Sequence, residues 1–279
     1  MLFTYKAQQS SYLLYHNHMY TMLRGFLRQF FWICNLGLVK KNDLKSFQKK
    51  NTLFNNLESK IAFYFVMEDK IKDSEKKLIR TSLINDSKSQ NGQDFFALFF
   101  NNFKNGGSFC EFGAYDGVTF SNTYLLEKNY GWTGLIIDPI PKHFDMMKQS
   151  RSCQQLFAAV TPEKQKFAKV VEHQSSELSK IAKRKILTKL YTVPAYTLTE
   201  ILEKYYPDKV LDFLSIDTEG NDIDILESVN FIDYRIKTIC VEHNYRLGSE
   251  EVIKYMDKVG YELAFKEHSK HDFWFVARN

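Results

Sequence analysis

Ser108-Phe-Cys-Glu-Phe-Gly-Ala-Tyr-Asp-Gly117 sets a compact apolar run against a loop with glycines at 113 and 117 and acids at 111 and 116. Asn105-Gly-Gly107 turns the chain into this run, and Ser108–Phe112 has the aromatic content and length of a buried strand. After the loop, Ser121 stands where it can cap a helix through Lys128. Glycine at 113 lets the backbone bend tightly and leaves room for a ligand that a side chain would fill. The helix start that follows offers free N–H groups to a carboxylate or phosphate.

Strands and helices alternate outward from this point. Thr133-Gly-Leu-Ile-Ile-Asp138 is an apolar run ending in an acid before Pro139, and Lys142–Gln149 reads as a short helix leading to a third strand, Leu156–Val160. Upstream, Phe95–Phe103 suggests a short buried helix. Downstream, Leu198–Tyr205 reads as a helix after a break at Pro194. Val210–Ile216 is a strand ending at Asp217, Ile223–Glu227 a helix, and Ile236–Val241 a strand ending at Glu242. A helix over Glu250–Val259 precedes Tyr261–Lys266 and Phe273–Ala277, a closing hairpin. This order predicts an α/β fold, a Rossmann-like, doubly wound, mainly parallel sheet with a C-terminal antiparallel hairpin. The turn-forming cluster Asn85–Gly92 divides residues 86–279 from a helical, basic N-terminal extension over residues 1–85.

Composition narrows the function classes. The 279 residues are 44% hydrophobic and 25% charged, which excludes wholesale disorder. Cysteines 34, 110, 153 and 240 form no C-x-x-C pair, so no zinc ribbon is written, and Cys110 and Cys240 are expected as reduced core residues. No apolar run reaches the length of a membrane span, and Lys40-Lys41 follows the run Phe30–Val39 where a secretory cleavage site would stand. The expected setting is cytoplasmic.

The net charge of +5 is uneven. Residues 1–60 hold nine Lys/Arg against two acids, and Met19, Met22, Leu23, Phe26, Leu27 and Phe30 recur at helical spacing beside Arg24 and Arg28. That basic amphipathic pattern over residues 19–39 suits peripheral contact with a membrane surface or a partner's groove, although the simpler reading is a stripe that covers the main domain. A second basic cluster, Lys164–Lys189, lacks a nucleic-acid reader motif and reads as a solvated helix or flap, so no nucleic acid is expected. Residues 201–250 are acidic, with several acids at strand ends, where such sheets place their chemistry.

The glycine loop does not match G-x-G-x-x-G, the spacing that accommodates a pyrophosphate. Two glycines with neighbouring acids suit a nucleoside whose ammonium or sulfonium group tolerates carboxylates, and Asp138 stands where an acid can accept hydrogen bonds from ribose hydroxyls. Glu111-Phe-Gly-Ala-Tyr-Asp-Gly-Val-Thr-Phe-Ser-Asn-Thr123, Gly131-Trp-Thr-Gly-Leu-Ile-Ile-Asp-Pro139 and Leu214-Ser-Ile-Asp-Thr-Glu-Gly220 resemble the motifs of the FkbM-type S-adenosylmethionine-dependent methyltransferases. Ser89-Gln-Asn-Gly-Gln-Asp94 and Val241-Glu-His-Asn244 fit the same pattern, so the resemblance spans residues 86–279. Asp138 departs from it, since many members carry Glu there. The resemblance implies methylation of an oxygen, often a hydroxyl of a sugar in a glycan, glycolipid or related natural product. It implies that Glu111, Gly113, Ala114 and Gly117, with Asp116 in the same loop, contact the methionine part of S-adenosyl-L-methionine, that Asp138 holds the ribose, and that Ala159 lies by the adenine.

Methyl transfer to a hydroxyl needs in-line alignment and loss of a proton. The candidates for the proton are Asp217, Glu219, Glu242 and His243. Asp217 and Glu219 share a face in extended chain and form a pair that can act as a base or hold a divalent metal. His243 titrates near neutrality. Two other classes stay open: a nicotinamide-dependent sugar oxidoreductase or epimerase, and a non-catalytic membrane- or partner-binding adaptor.

Overall fold

The computed structural model describes residues 85–173, 188–218, 221–243, 249–269 and 271–278, with isolated positions between Lys60 and Ser82. The chain divides into two compact units, Met1–Asp73 and Ser74–Asn279. In the first, Lys60, Tyr64, Met67 and Ile71 are buried at the three- and four-residue spacing expected of an amphipathic helix. The basic pattern at residues 19–39 lies outside the described residues.

In the second unit the order is α1 (Gln93–Phe100), β1 (Ser108–Phe112), α2 (Tyr124–Tyr130), β2 (Thr133–Asp138), α3 (Pro141–Ser150), β3 (Gln154–Phe157), β4 (Ala159–Val160), β5 (Phe167–His173) and β6 (Thr188–Tyr196). Then come α4 (Leu198–Tyr205), β7 (Val210–Ile216), α5 (Asp222–Glu227), β8 (Arg235–Glu242), α6 (Ser249–Lys258), β9 (Tyr261–Leu263), α7 (Lys266–Ser269) and β10 (Asp272–Ala277). One sheet has the strand order β3-β2-β1-β7-β8-β10-β9. Its first five strands are parallel, and β10 runs antiparallel to both β8 and β9.

The central strands are covered on both faces, which is why their sequences are nearly continuous apolar runs. On one face Phe112, Leu214, Ile239 and Phe275 pack with α4, α5 and α6, through residues such as Ile201, Leu226 and Met256. On the other face α1 brings Phe96 against Trp274 of β10, with ring centroids 5.1 Å apart. Helix α4 begins on a capping box in which Thr197 and Glu200 satisfy each other's backbone N–H groups.

Three expectations are corrected. In the basic stretch after Lys164, read as a solvated helix or flap, the described residues are not helical: they form an antiparallel pair, β5 and β6, with Val171 opposite Leu190. Phe167-Ala-Lys-Val-Val-Glu172 alternates in burial rather than following a helical period. Pro194 does not break the chain. It lies within β6 opposite Phe167, at the end of the ladder where a missing donor costs little. The predicted third strand splits into β3 and β4, and β4 joins β6 and β5 in a separate three-stranded sheet.

The strand order reverses between β1 and β7, where their carboxyl ends nearly touch. Gly113 has φ +72°, and a Cβ built on it would lie 1.8 Å from the backbone oxygen of Asp217. Gly106 has nearly the same φ, +71°, with nothing within 4 Å of its Cβ position. Both Gly→Ala substitutions carry a left-handed backbone cost of about 1–2 kcal/mol. Gly113→Ala adds a clash worth roughly 1–3 kcal/mol more. Denaturant titrations should therefore rank Gly113→Ala well below Gly106→Ala, and equal midpoints would show that the ends of β1 and β7 separate freely.

Candidate active site

The loop after β1 is built by its own side chains. The amides of Gly113 and Ala114 both donate to the Ile137 carbonyl of β2, at 3.0 and 3.2 Å, which draws the loop toward the neighbouring strand. Asp116 folds the loop on itself: Oδ1 accepts from the amides of Val118 and Thr119 at 2.8 and 2.6 Å, and Oδ2 accepts from the Thr119 hydroxyl. This is the way a short carboxylate stabilises a turn. Gly113 has a different reason from the one read in the sequence, because the space beside it is filled by the Asp217 carbonyl rather than kept for a ligand.

Glu111 lies on β1 and is 3% exposed. Its Oε1 accepts from the Asn122 amide at 2.6 Å, and its Oε2 accepts from the hydroxyls of Ser121 and Thr123. The carboxylate thus anchors the chain entering α2.

Arg151, which follows α3, closes this arrangement, and no sequence pattern pointed to it. Its side chain is fully buried. Nη1 donates to the Gly117 carbonyl and the Ser121 hydroxyl at 2.9 and 3.1 Å, Nη2 donates to the Thr123 hydroxyl at 3.0 Å, and Nε donates to Glu127 at 2.5 Å. Gly117 is required beneath it, since a Cβ there would meet Arg151 Cγ at 2.7 Å. Burial opposes ionisation of Glu127 most strongly, but hydrogen bonds from Ser152 and the charge of Arg151 outweigh it and hold that carboxyl well below the usual range.

Asp138 ends β2 and is 4% exposed. Its Oδ2 accepts from the Tyr115 amide at 2.9 Å, and its Oδ1 accepts from the Ile140 amide at 2.8 Å and lies 3.1 Å from His143 Nδ1. The Tyr115 ring meets His143 edge-on, with centroids 4.4 Å apart. Tyr115 and His143 were not singled out in the sequence, and both converge on the acid predicted to hold a ribose. Ala159 sits in β4, opposite Ala195 of β6.

Gln93, Asn122, Ser215, Asp217, Glu242 and Asp272 line a cleft at the carboxyl ends of β1, β7 and β8. Carboxylate oxygens of Asp217, Asp222 and Glu242 lie within 4.8 Å of one another. Asp222 is buried, and its Oδ1 accepts from the amide and hydroxyl of Thr218. Asp272 stands directly across the ladder from Glu242 and accepts from Gln93 Nε2 at 2.5 Å. Gln93 belongs to the Ser89–Asp94 motif, in which Asp94 Oδ1 accepts from the Ser89 hydroxyl at 2.7 Å and Gly92 takes a left-handed φ of 99°.

The structure thus brings Asp217 and Glu242 together and adds Asp222. Glu219 lies outside the described residues. His243 does not line the cleft. Strand alternation turns it to the face opposite Glu242, where its ring stacks on Phe273 with centroids 4.2 Å apart and its amide donates to the His271 carbonyl at 2.8 Å. Cys110 and Cys240 are buried and reduced, and burial pushes both thiols up.

A glycine turn after β1, an acid after β2 and an acid-lined crevice where the strand order reverses define a Rossmann-like α/β enzyme. The family described as the methyltransferase FkbM domain matches residues 111–263, more than half of the chain, and the chain belongs to that family of methyltransferases. Among solved structures, the fold is similar to precorrin-6Y C5,15-methyltransferase from Geobacter metallireducens GS-15, at 9% identity over 69% of this chain and 90% of that one, with a TM-score of 0.37. It is also similar to a fibrillarin/Nop5p complex, at 13% identity over 67% of this chain and 82% of that one, with a TM-score of 0.32. No curated relative matches the chain. No described helix is long and apolar enough to cross a membrane.

Family membership implies S-adenosylmethionine as the methyl donor, and the residues fit it. A cleft edged by Asp217, Glu242 and Asp272 favours a sulfonium or ammonium group and repels a pyrophosphate. Asp138, Gly113 and Ala114 would flank the nucleoside and amino-acid parts.

Two measurements probe this construction. Arg151→Met leaves Glu111 and Glu127 buried without their cation and is expected to cost about 3–5 kcal/mol in denaturant titrations. Burial pushes Asp272 up to about 6, against hydrogen bonds from Gln93 and Trp274, with the negative charge of Asp222 adding to the shift. Between the unfolded value near 3.8 and about 6 the folded chain therefore holds the extra proton, and stability falls as pH rises through that window. Asp272→Asn should remove that slope, up to about 3 kcal/mol, and unchanged melting profiles from pH 4 to 8 would contradict the burial argument.

Proposed function

We propose that the protein is an S-adenosylmethionine-dependent O-methyltransferase whose acceptor is a sugar hydroxyl of a glycan, glycolipid or related natural product. The observation that carries this reading is the carboxylate pair Asp217 and Glu242, held at the ends of adjacent strands and lining one cleft at the reversal of strand order. The donor supplies an electrophilic methyl group on a sulfonium.

The chain's own residues supply position and charge. Asp138 and the backbone from Gly113 to Gly117 orient the donor from the β1–β2 side. Asp217 and Glu242 face it from β7 and β8, hold the acceptor hydroxyl and favour loss of its proton as the new C–O bond forms. His243 is left out of this step because its ring packs on Phe273. The absence of the G-x-G-x-x-G spacing and the acidity of the cleft both weigh against a nicotinamide enzyme.

Asp217→Asn is expected to lower labelled-methyl transfer by about 100-fold or more, while calorimetric affinity for S-adenosylhomocysteine stays within about threefold. A parallel loss of affinity would reassign Asp217 to donor binding. Heat on titration with NAD, and none with S-adenosylhomocysteine, would overturn the proposal in favour of an oxidoreductase or epimerase.

A further inference from the structure

The acidic trio differs from the pair expected in the sequence. Asp217 follows β7, Asp222 opens α5 and Glu242 ends β8, so three separate elements deliver carboxylate oxygens to one point within 4.8 Å. Local hydrogen bonding fixes Asp222 in place through Thr218. Asp272, directly opposite Glu242 in the ladder, lines the same cleft as Asp217 and Glu242, and like charges in such register repel.

A neutral oxygen in the same cleft points the same way. Asn122 is 9% exposed and lines the cleft with Asp217 and Glu242. Its backbone N–H donates to Glu111 at 2.6 Å and its Nδ2 donates to the Ser215 hydroxyl at 2.9 Å, which fixes the orientation of the side-chain amide. Its Oδ1 is buried with no hydrogen-bond partner among the described residues. A buried amide oxygen left in that state carries a desolvation cost that a ligand would offset. Among carboxylates, the ligand that such an oxygen suits is a cation.

We infer that Asp217, Asp222 and Glu242, together with Asn122 Oδ1, form a site for one hard divalent cation of the magnesium or manganese class at the acceptor end of the cleft. An all-oxygen donor set of carboxylates and one amide carbonyl suits these ions and offers nothing that favours zinc or copper. The inference rests on the O-methyltransferase proposal for the use of the ion: the acceptor hydroxyl completes the coordination, and the cation's charge lowers that hydroxyl's proton affinity. Asp217 and Glu242 then act on the acceptor through the ion they hold. Glu219, offered from the sequence beside Asp217 as a ligand should a metal bind, lies outside the described residues, and this set is drawn from Asp217, Asp222 and Glu242.

The test is manganese binding to the full chain, followed by loss of the free-ion electron paramagnetic resonance signal, with S-adenosylhomocysteine calorimetry run on the same samples. The wild type should take up one Mn2+ per chain. Glu242→Gln and Asp222→Asn should each weaken binding about tenfold or more, the typical effect of losing one charged ligand, and Asn122→Ala should weaken it severalfold. Asp224→Asn removes an exposed acid from the same helix and should change nothing. Retained S-adenosylhomocysteine binding certifies that each variant is folded. Wild type that binds S-adenosylhomocysteine but no Mn2+ would overturn the cation site and leave the methyltransferase proposal standing. Mn2+ uptake without S-adenosylhomocysteine binding would do the reverse. Equal weakening by Asp224→Asn would reduce the effect to diffuse acidity and also overturn the site.

Discussion

Arg151 is a cation with no exposed side-chain surface, and the loop after β1 and the start of α2 lean on it. A guanidinium taken out of water is costly unless each of its donors is used and a carboxylate lies close. Here the donors go to Gly117, Ser121, Thr123 and Glu127, and Glu111 lies 3.8 Å away. The partners come from the glycine loop, the start of α2, α2 itself and β1. The guanidinium therefore fixes the loop against the helix that follows it, and it can do so only because Gly117 presents no Cβ. The close approach of Gly113 to Asp217 then ties this unit to the end of β7. The loop after β1 and the end of β7 are thus parts of one edge.

Strand alternation decides which polar groups reach the cleft. On β8, Cys240 and Glu242 face it while Val241 joins the opposite core and His243 stacks on Phe273. On β10, Asp272 faces the cleft and Phe273 the core. The result is a surface of acids on one face of the sheet, backed by buried rings on the other. Such a surface discriminates between cofactors by charge alone, since a cationic group gains from it and a diphosphate is repelled.

Much of the fold was legible because parallel strands buried on both faces write themselves as unbroken apolar runs. Val210–Ile216 appears in the structure with the bounds read from the sequence, and Thr133–Asp138 likewise. The C-terminal hairpin was legible too, although α7 between its strands is too short to leave a periodic signal. Asp217, Glu242 and Asp138, which all stand at the carboxyl ends of their strands, were singled out because an acid at the end of an apolar strand is conspicuous. Asp222 was not, because an acid opening a helix is usually a cap, and only folding shows that it turns back toward Glu242. Arg151 left no trace at all: one cation after a helix looks solvated until the tertiary fold closes over it. His243 misled for the opposite reason, since its type suggested chemistry while its parity along β8 assigned it to packing.

The segment between β3 and β7 shows why one crossover was misread. In an alternating α/β chain that connection needs only one helix, and α4 supplies it, packing Leu198, Ile201 and Leu202 on the sheet. The strands β4, β5 and β6 are therefore surplus to the crossover. They begin one residue past the carboxyl end of β3, with β4 paired to the last residues of β6 just before α4 starts. An added sheet rooted there lies on the ligand side of the main sheet, the side on which loops vary without disturbing the core. Ala159, expected beside an adenine, stands at the root of this addition. Lys169 and Lys189, from the stretch read as a solvated helix or flap, are exposed on it, as are Phe167, Val171 and Leu190. Helical periodicity fails here because a two-stranded ribbon buries only part of one face, so hydrophobicity reports the ribbon's surroundings more than its secondary structure.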